Sequence, residues 1–195
     1  MNTRLRLPAF LLFFAASCAT TAPAPAPVTR GQRIVVVPPN NQTGSPLFIA
    51  GASSFGRPGA DAEPATVDEL LVREANRQLA DRGFRVTPAP LVYAAAEGHV
   101  PRTPHAAAEI AVHGKLEGLV LYMEIVHWEP DDPLHAKHVF VGLAASLVDP
   151  PTRSVVWDFY RQPEAVATPG ELTLMDAYES AARQVIAQVL DGFGP

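Results

Sequence analysis

The 195-residue chain has a single cysteine, Cys18, so no intrachain disulfide staples the fold and any domain that follows is cysteine-free. Outside the amino terminus the longest apolar stretch is residues 118–128 (GLVLYMEIVHW), and no run approaches the ~20 residues of a membrane-spanning helix. A basic stripe is also missing. Lys and Arg number 15 against 20 Asp and Glu, a formal charge of −5 that becomes −7 if Arg4 and Arg6 leave with a signal segment. Binding a phosphate backbone needs clustered cations, so nucleic acid is excluded as a partner. Neither GxGxxG nor GK[ST] occurs after the first strand, which removes the usual nucleotide cradle and leaves no cofactor to assign. Residues 51–56 (GASSFG) come near a nucleophile elbow, but the glycine spacing is wrong and the position is not a sharp strand-to-helix turn. No catalytic residue is assigned.

What is present is 48% hydrophobic and 18% charged with mean hydropathy +0.08, the composition of one ordinary globular domain plus added segments. The amino terminus has a basic start (Arg4, Arg6), an apolar stretch at 7–16 (LPAFLLFFAA) and small residues before Cys18, the layout of a secretory signal. Residues 15–18 (AASC) resemble a bacterial lipobox, with Ala15 where leucine is usual, which implies lipidation of Cys18 and removal of 1–17. Ala19 is not the aspartate that marks inner-membrane retention, so the resemblance implies the outer membrane, facing the periplasm. Residues 19–32 (ATTAPAPAPVTRGQ) cannot hold a helix and form a tether, reaching up to ~40 Å at ~3.1 Å per residue. A single α/β domain is then expected over 33–192.

Within that domain, RIVVV at 33–37 reads as an inner strand stopped by Pro38-Pro39. A Gly-, Ser- and Pro-rich loop follows at 40–65, with Leu47, Phe48 and Ile49 as its one apolar anchor. Thr66 to Glu69 is a capping box, opening a helix that ends near Arg82 with Gly83 as the left-handed cap. A short strand at 84–87 completes a strand-helix-strand unit, expected to be parallel with a right-handed crossover. Residues 88–103 read as irregular, with Leu91, Val92 and Tyr93 as a buried patch. Thr103-Pro104 signals a second helix.

Three strands come next. In 118–128 the unbroken run from Leu119 to Met123 predicts cover on both faces, loosening from Glu124. In 137–148, Val139, Val141, Leu143, Ala145 and Leu147 share one face, and 154–161 closes an antiparallel meander with Trp157 against the core. A last helix within 171–190 carries Met175, Tyr178, Ala182, Val185, Ile186 and Val189 at helical spacing, stopped by Gly192. The expected order is therefore βαβαβββα, one mixed sheet with helices packed on it.

Pro38-Pro39-Asn40, Leu121-Tyr122, and Leu147-Val148-Asp149 followed by Trp157, with LADRGFRVTPAPLV at 79–92, resemble a family of periplasmic lipoproteins of unknown function related to a neisserial lipoprotein antigen. The resemblance spans most of 33–190. It implies a fold similar to the TolB amino-terminal domain, to CsgG and to lipoprotein activators of penicillin-binding proteins. It also implies an accessory or scaffolding role through protein contacts, with an envelope protein as partner and no catalytic residue carried over.

His127, Asp131, Asp132, His135 and His138 fall close together around one turn, a density that suggests Zn²⁺. Their spacing matches no closed site, and a solvated Asp-Pro-His turn explains them, so no metal is assigned. For contacts, the loops at 40–65 and 88–102 are expected to be neighbours, because loops leaving the carboxyl ends of parallel strands share an edge. Leu47, Phe48, Ile49 and Tyr93 either pin these loops down or meet a partner. The competing reading is a small-ligand-binding or hydrolytic domain with 40–65 as a lid.

Overall fold

The computed structural model describes residues 28–48 and 66–193. Cys18, the signal and tether through residue 27, Ile49 and the 49–65 part of the loop lie outside the described residues. One mixed sheet organises the rest. Strand β1 (Arg33–Val36) lies between β3 (Arg85–Val86) and β4 (Leu119–Pro130), parallel to both, while β5 (His138–Asp149) and β6 (Ser154–Ala167) extend the sheet antiparallel beyond β4. The expected parallel unit and the expected meander thus meet at β4. The two prolines do not end pairing. After a one-residue slip the chain rejoins β4 as β2 (Asn40–Asn41), with Asn40 opposite Glu124 and the Gln42 amide donating to Ile125 O at 2.9 Å.

The two faces of the sheet are covered unequally. Helices α1 (Val67–Asp81) and α4 (Leu174–Asp191) enclose the larger core, built on Leu121, Met123 and Ile125 of β4 and the whole 139–147 stripe of β5. They run parallel, held by Arg73–Glu179 at 2.6 Å, Gln78 Nε2 to Arg183 O at 2.8 Å and Arg82–Asp191 at 2.7 Å. On the other face, α2 (Ala89–Ala96) and α3 (Pro104–His113) bury Val35, Val37, Val120, Tyr122 and Val148. Beyond α3 that face is open, and Phe140 and Tyr160 are exposed. Among the described residues no helix is long and apolar enough to cross a membrane.

The threonine caps read at Thr66 and Thr103 form, and Thr173 adds one that was not read. Thr66, Thr103 and Thr173 each accept from the amide three residues on, and at Thr173 the Asp176 carboxylate reciprocates. Gly83, at φ +87°, turns the chain so that Phe84 donates to Leu79 O and packs edge-on to Phe193. Gly118, at φ +112°, lies so close to β1 that a Cβ would sit 2.2 Å from the Arg33 carbonyl oxygen; this approach is what brings β4 into register.

Two expectations are corrected. Residues 89–96 are helical rather than irregular, because Pro88 and Pro90 occupy the cap and first turn, where a missing N–H costs nothing. Of the expected buried patch only Val92 is buried; Leu91 and Tyr93 face outward. Strand β6 also runs beyond 161 to Ala167, passing through Pro163. It is an edge strand, and a bulge there seats the Pro163 ring against Gly142, where a Cβ would meet it at 3.0 Å.

Candidate functional site

Where β1 and β2 give way to loop, the sheet edge carries a cleft. Pro39, Asn40 and Asn41 form one wall, Gly98, His99, Val100 and Arg102 the other, and Asp68 of α1 closes it, enclosing about 580 Å³. The described part of the first loop and the α2–α3 connection are therefore neighbours at the carboxyl edge of the parallel strands. The walls are stiff for local reasons. The Asn41 carboxamide accepts from the Thr43 amide at 3.0 Å and donates to Ser45 O at 3.0 Å, fixing the turn. Opposite, Glu97 and Gly98 turn the chain at φ +50° and +77°, and the His99 amide caps α2 through Ala96 O at 2.8 Å.

Below the cleft a polar chain runs into the sheet. Asn40 Nδ2 donates to the Tyr122 hydroxyl at 3.4 Å, and that hydroxyl donates to Glu124 Oε1 at 2.7 Å. Burial, reinforced by the Glu124 carboxylate, raises the Tyr122 phenol well above its ordinary range. Asp68 also sits high, first because it is desolvated and then because Glu69 is adjacent; its Oδ1 is buried without a partner. A carboxyl in that state at a cleft wall marks a candidate binding site.

His99, Val100 and Arg102 also line a larger and more apolar cleft of about 680 Å³ beside it, where Val100, Pro101, Ala106, Ile110 and Val112 supply the surface and Glu109, His113 and Arg153 the rim. Val100 and Val112 are each about half exposed, and Tyr93 and Leu91 crop out on neighbouring α2. A polar cleft that shares His99, Val100 and Arg102 with an apolar, charge-rimmed one has the make-up of a contact surface.

The residues named from sequence fall in different places. Leu47 packs on the main core and its carbonyl accepts from the Val67 amide at 3.0 Å, whereas Phe48 is 69% exposed and bridges Thr66 across the neck of the loop. The acidic turn residues serve their own turn. Asp131 takes the Lys137 amide at 2.9 Å and His138 Nδ1 at 3.1 Å, and Asp132 accepts from the Leu134 and His135 amides, which hold its carboxyl below the usual range. His127 instead meets Glu129 at 3.5 Å. Among the described residues no three His, Cys, Asp or Glu side chains converge as a metal site. Sequence reasoning did not single out Asp68, which it read only as part of a helix cap, nor His99, Val100 and Arg102 within the 88–102 loop; only the shared strand edge points to them.

No family model matches the chain, and no curated protein matches it by sequence. Solved structures do. Protein XCC0632 from Xanthomonas campestris is 16% identical with TM-score 0.50, over 85% of each chain. The PelC dodecamer from Paraburkholderia phytofirmans is 18% identical with TM-score 0.49, over 87% of this chain and 92% of that one. Lipoprotein GNA1162 from Neisseria meningitidis is 18% identical with TM-score 0.43, over 82% of this chain and 99% of that one. At these identities what is shared is the fold.

Proposed function

We propose that this is an outer-membrane lipoprotein, anchored through Cys18 and facing the periplasm, that works as a non-enzymatic accessory by gripping an envelope protein in the paired clefts around Val100. The observation that carries the reading is the meeting of the 39–41 and 98–102 walls beside the apolar, charge-rimmed cleft at one sheet edge. The lipobox-like residues 15–18, the Ala-Pro segment behind them and the structural likeness to lipoproteins support the anchoring half. The signal at 1–17, the tether at 18–32 and a folded domain over 33–192 are part of the proposal.

Anchoring is tested by Cys18→Ala. Two or three acyl chains supply stable attachment where one alone is marginal, so the variant is expected in the soluble periplasmic fraction while wild type stays in the membrane. A Cys18→Ala protein that remained in the pellet after a salt wash would sink the lipid reading.

A further inference from the structure

A second polar cleft, of about 570 Å³, lies near the other end of the parallel strands, where the amino-terminal segment enters β1. Its charged lining is Arg33, Arg85, Lys115 and Glu117, leaving two positive charges in excess in a chain whose formal charge is −5. Arg33 and Arg85 stand directly opposite each other in the β1–β3 register, so their side chains leave the same face, an arrangement that like charges disfavour unless something negative joins them. Glu117 takes only Arg33, at 2.7 Å. Arg85 spends its Nε on Gly31 O at 2.8 Å, and among the described residues no carboxylate pairs with Arg85 or Lys115. Lys115 is held in the loop at φ +52°.

Thr87 adds an independent observation. It lines the same cleft at 7% exposure, and its Oγ1 is buried with no hydrogen-bond partner. A buried hydroxyl without a partner is costly and calls for an unseen acceptor or donor. A guanidinium and an ammonium without carboxylate partners lining one cleft, with an unpartnered hydroxyl buried in its wall, match the several oxygens and multiple charge of phosphate.

We propose that this cleft binds a phosphate group, with Arg85 and Lys115 neutralising it and the Thr87 hydroxyl donating to it. The site does not depend on the partner clefts, which open at the opposite strand ends. Its phosphate comes either from a lipid headgroup or from a soluble ligand. The chemistry is the same for both.

The test uses the full-length chain in a neutral detergent, titrated calorimetrically with inorganic phosphate. Saturable one-to-one binding is expected, weakened about tenfold by Thr87→Val and by Lys115→Gln, neither of which removes an ion pair. Binding to phosphatidylglycerol vesicles is scored against phosphatidylcholine vesicles, which cancels the contribution of the apolar amino terminus. An anionic preference lost in Lys115→Gln assigns the phosphate to a lipid, and phosphate binding without that preference assigns it to a soluble ligand. Absence of saturable phosphate binding by the wild type overturns the site. So does unchanged binding in Thr87→Val together with a raised melting temperature, the signature of a hydroxyl that is merely buried.

Discussion

The indole of Trp157 lies against the Cα of Gly192, where an added Cβ would come within 2.7 Å of Cζ2. The same indole meets Phe193 edge-on, with ring centroids 4.7 Å apart, and stacks along Phe159 at 6.2 Å. The end of α4 is thus pinned to β6 through a ring that only glycine admits. Gly192 has ordinary helical dihedrals, φ −74° and ψ −10°, so alanine there is a steric change and not a backbone one. Gly192→Ala is expected to cost about 1–3 kcal/mol, as overpacking does. Urea unfolding followed by tryptophan fluorescence reads both the loss and the altered environment of Trp157; unchanged stability would mean that α4 shifts freely on the sheet.

Tyr122 links the sheet core to Asn40 at the cleft edge, and its phenol supplies a pH signature. The folded chain keeps the Tyr122 proton above the ordinary tyrosine value of 10.0, whereas the unfolded chain gives it up there. The folded state therefore binds more protons, and stability falls as pH rises above about 10. Tyr122→Phe is expected to cost about 1 kcal/mol at pH 7, the worth of the lost hydrogen bond, and to flatten that alkaline decline. Tyr93 and Tyr178, also raised by burial, keep the remaining share. Denaturant midpoints at pH 8 and pH 10.5 measure the slope, and an equal decline in both proteins would contradict the assignment.

Leu47 and Phe48 divide the two roles expected of the loop anchor. Leu47 packs on the core beside the start of α1, while Phe48 points out at 69% exposure. Leu47→Ala is expected to lower stability by about 1–2 kcal/mol and Phe48→Ser by less than ~0.5 kcal/mol, as partial burial and exposure dictate. Thermal melts of the two variants decide it; a large drop for Phe48→Ser would make that ring a structural tie.

The sheet was legible because its signals are local. Continuous apolar residues from Leu119 to Met123 require two covered faces, and alternation from Val139 to Leu147 requires one. Threonine caps at Thr66 and Thr103 announced two of the four helices, and the apolar spacing from Met175 to Val189 a third. Helix α2 was hidden because Pro88 and Pro90 read as loop punctuation, and because a short Ala-rich turn with Leu91 and Tyr93 facing outward has almost no amphipathic stripe. Pro163 concealed the length of β6, since proline is tolerated on an edge whose outer N–H groups lack partners anyway. The sequence could suggest that two loops share an edge. It could not place Val100 beside Asn40, or Arg85 opposite Arg33, because those meetings depend on strand register across about fifty to sixty residues.

The central claim is that the edge around Val100 grips an envelope protein. A photoactivatable crosslinker placed at Val100 in cells measures this directly, with Leu172, exposed at 83% and outside both clefts, as the control position. A discrete adduct to one envelope protein from Val100, absent from Leu172 and abolished when Arg102→Glu reverses the shared rim charge, is the predicted result. Equal, diffuse labelling from both positions, or a Val100 adduct indifferent to Arg102→Glu, would contradict it.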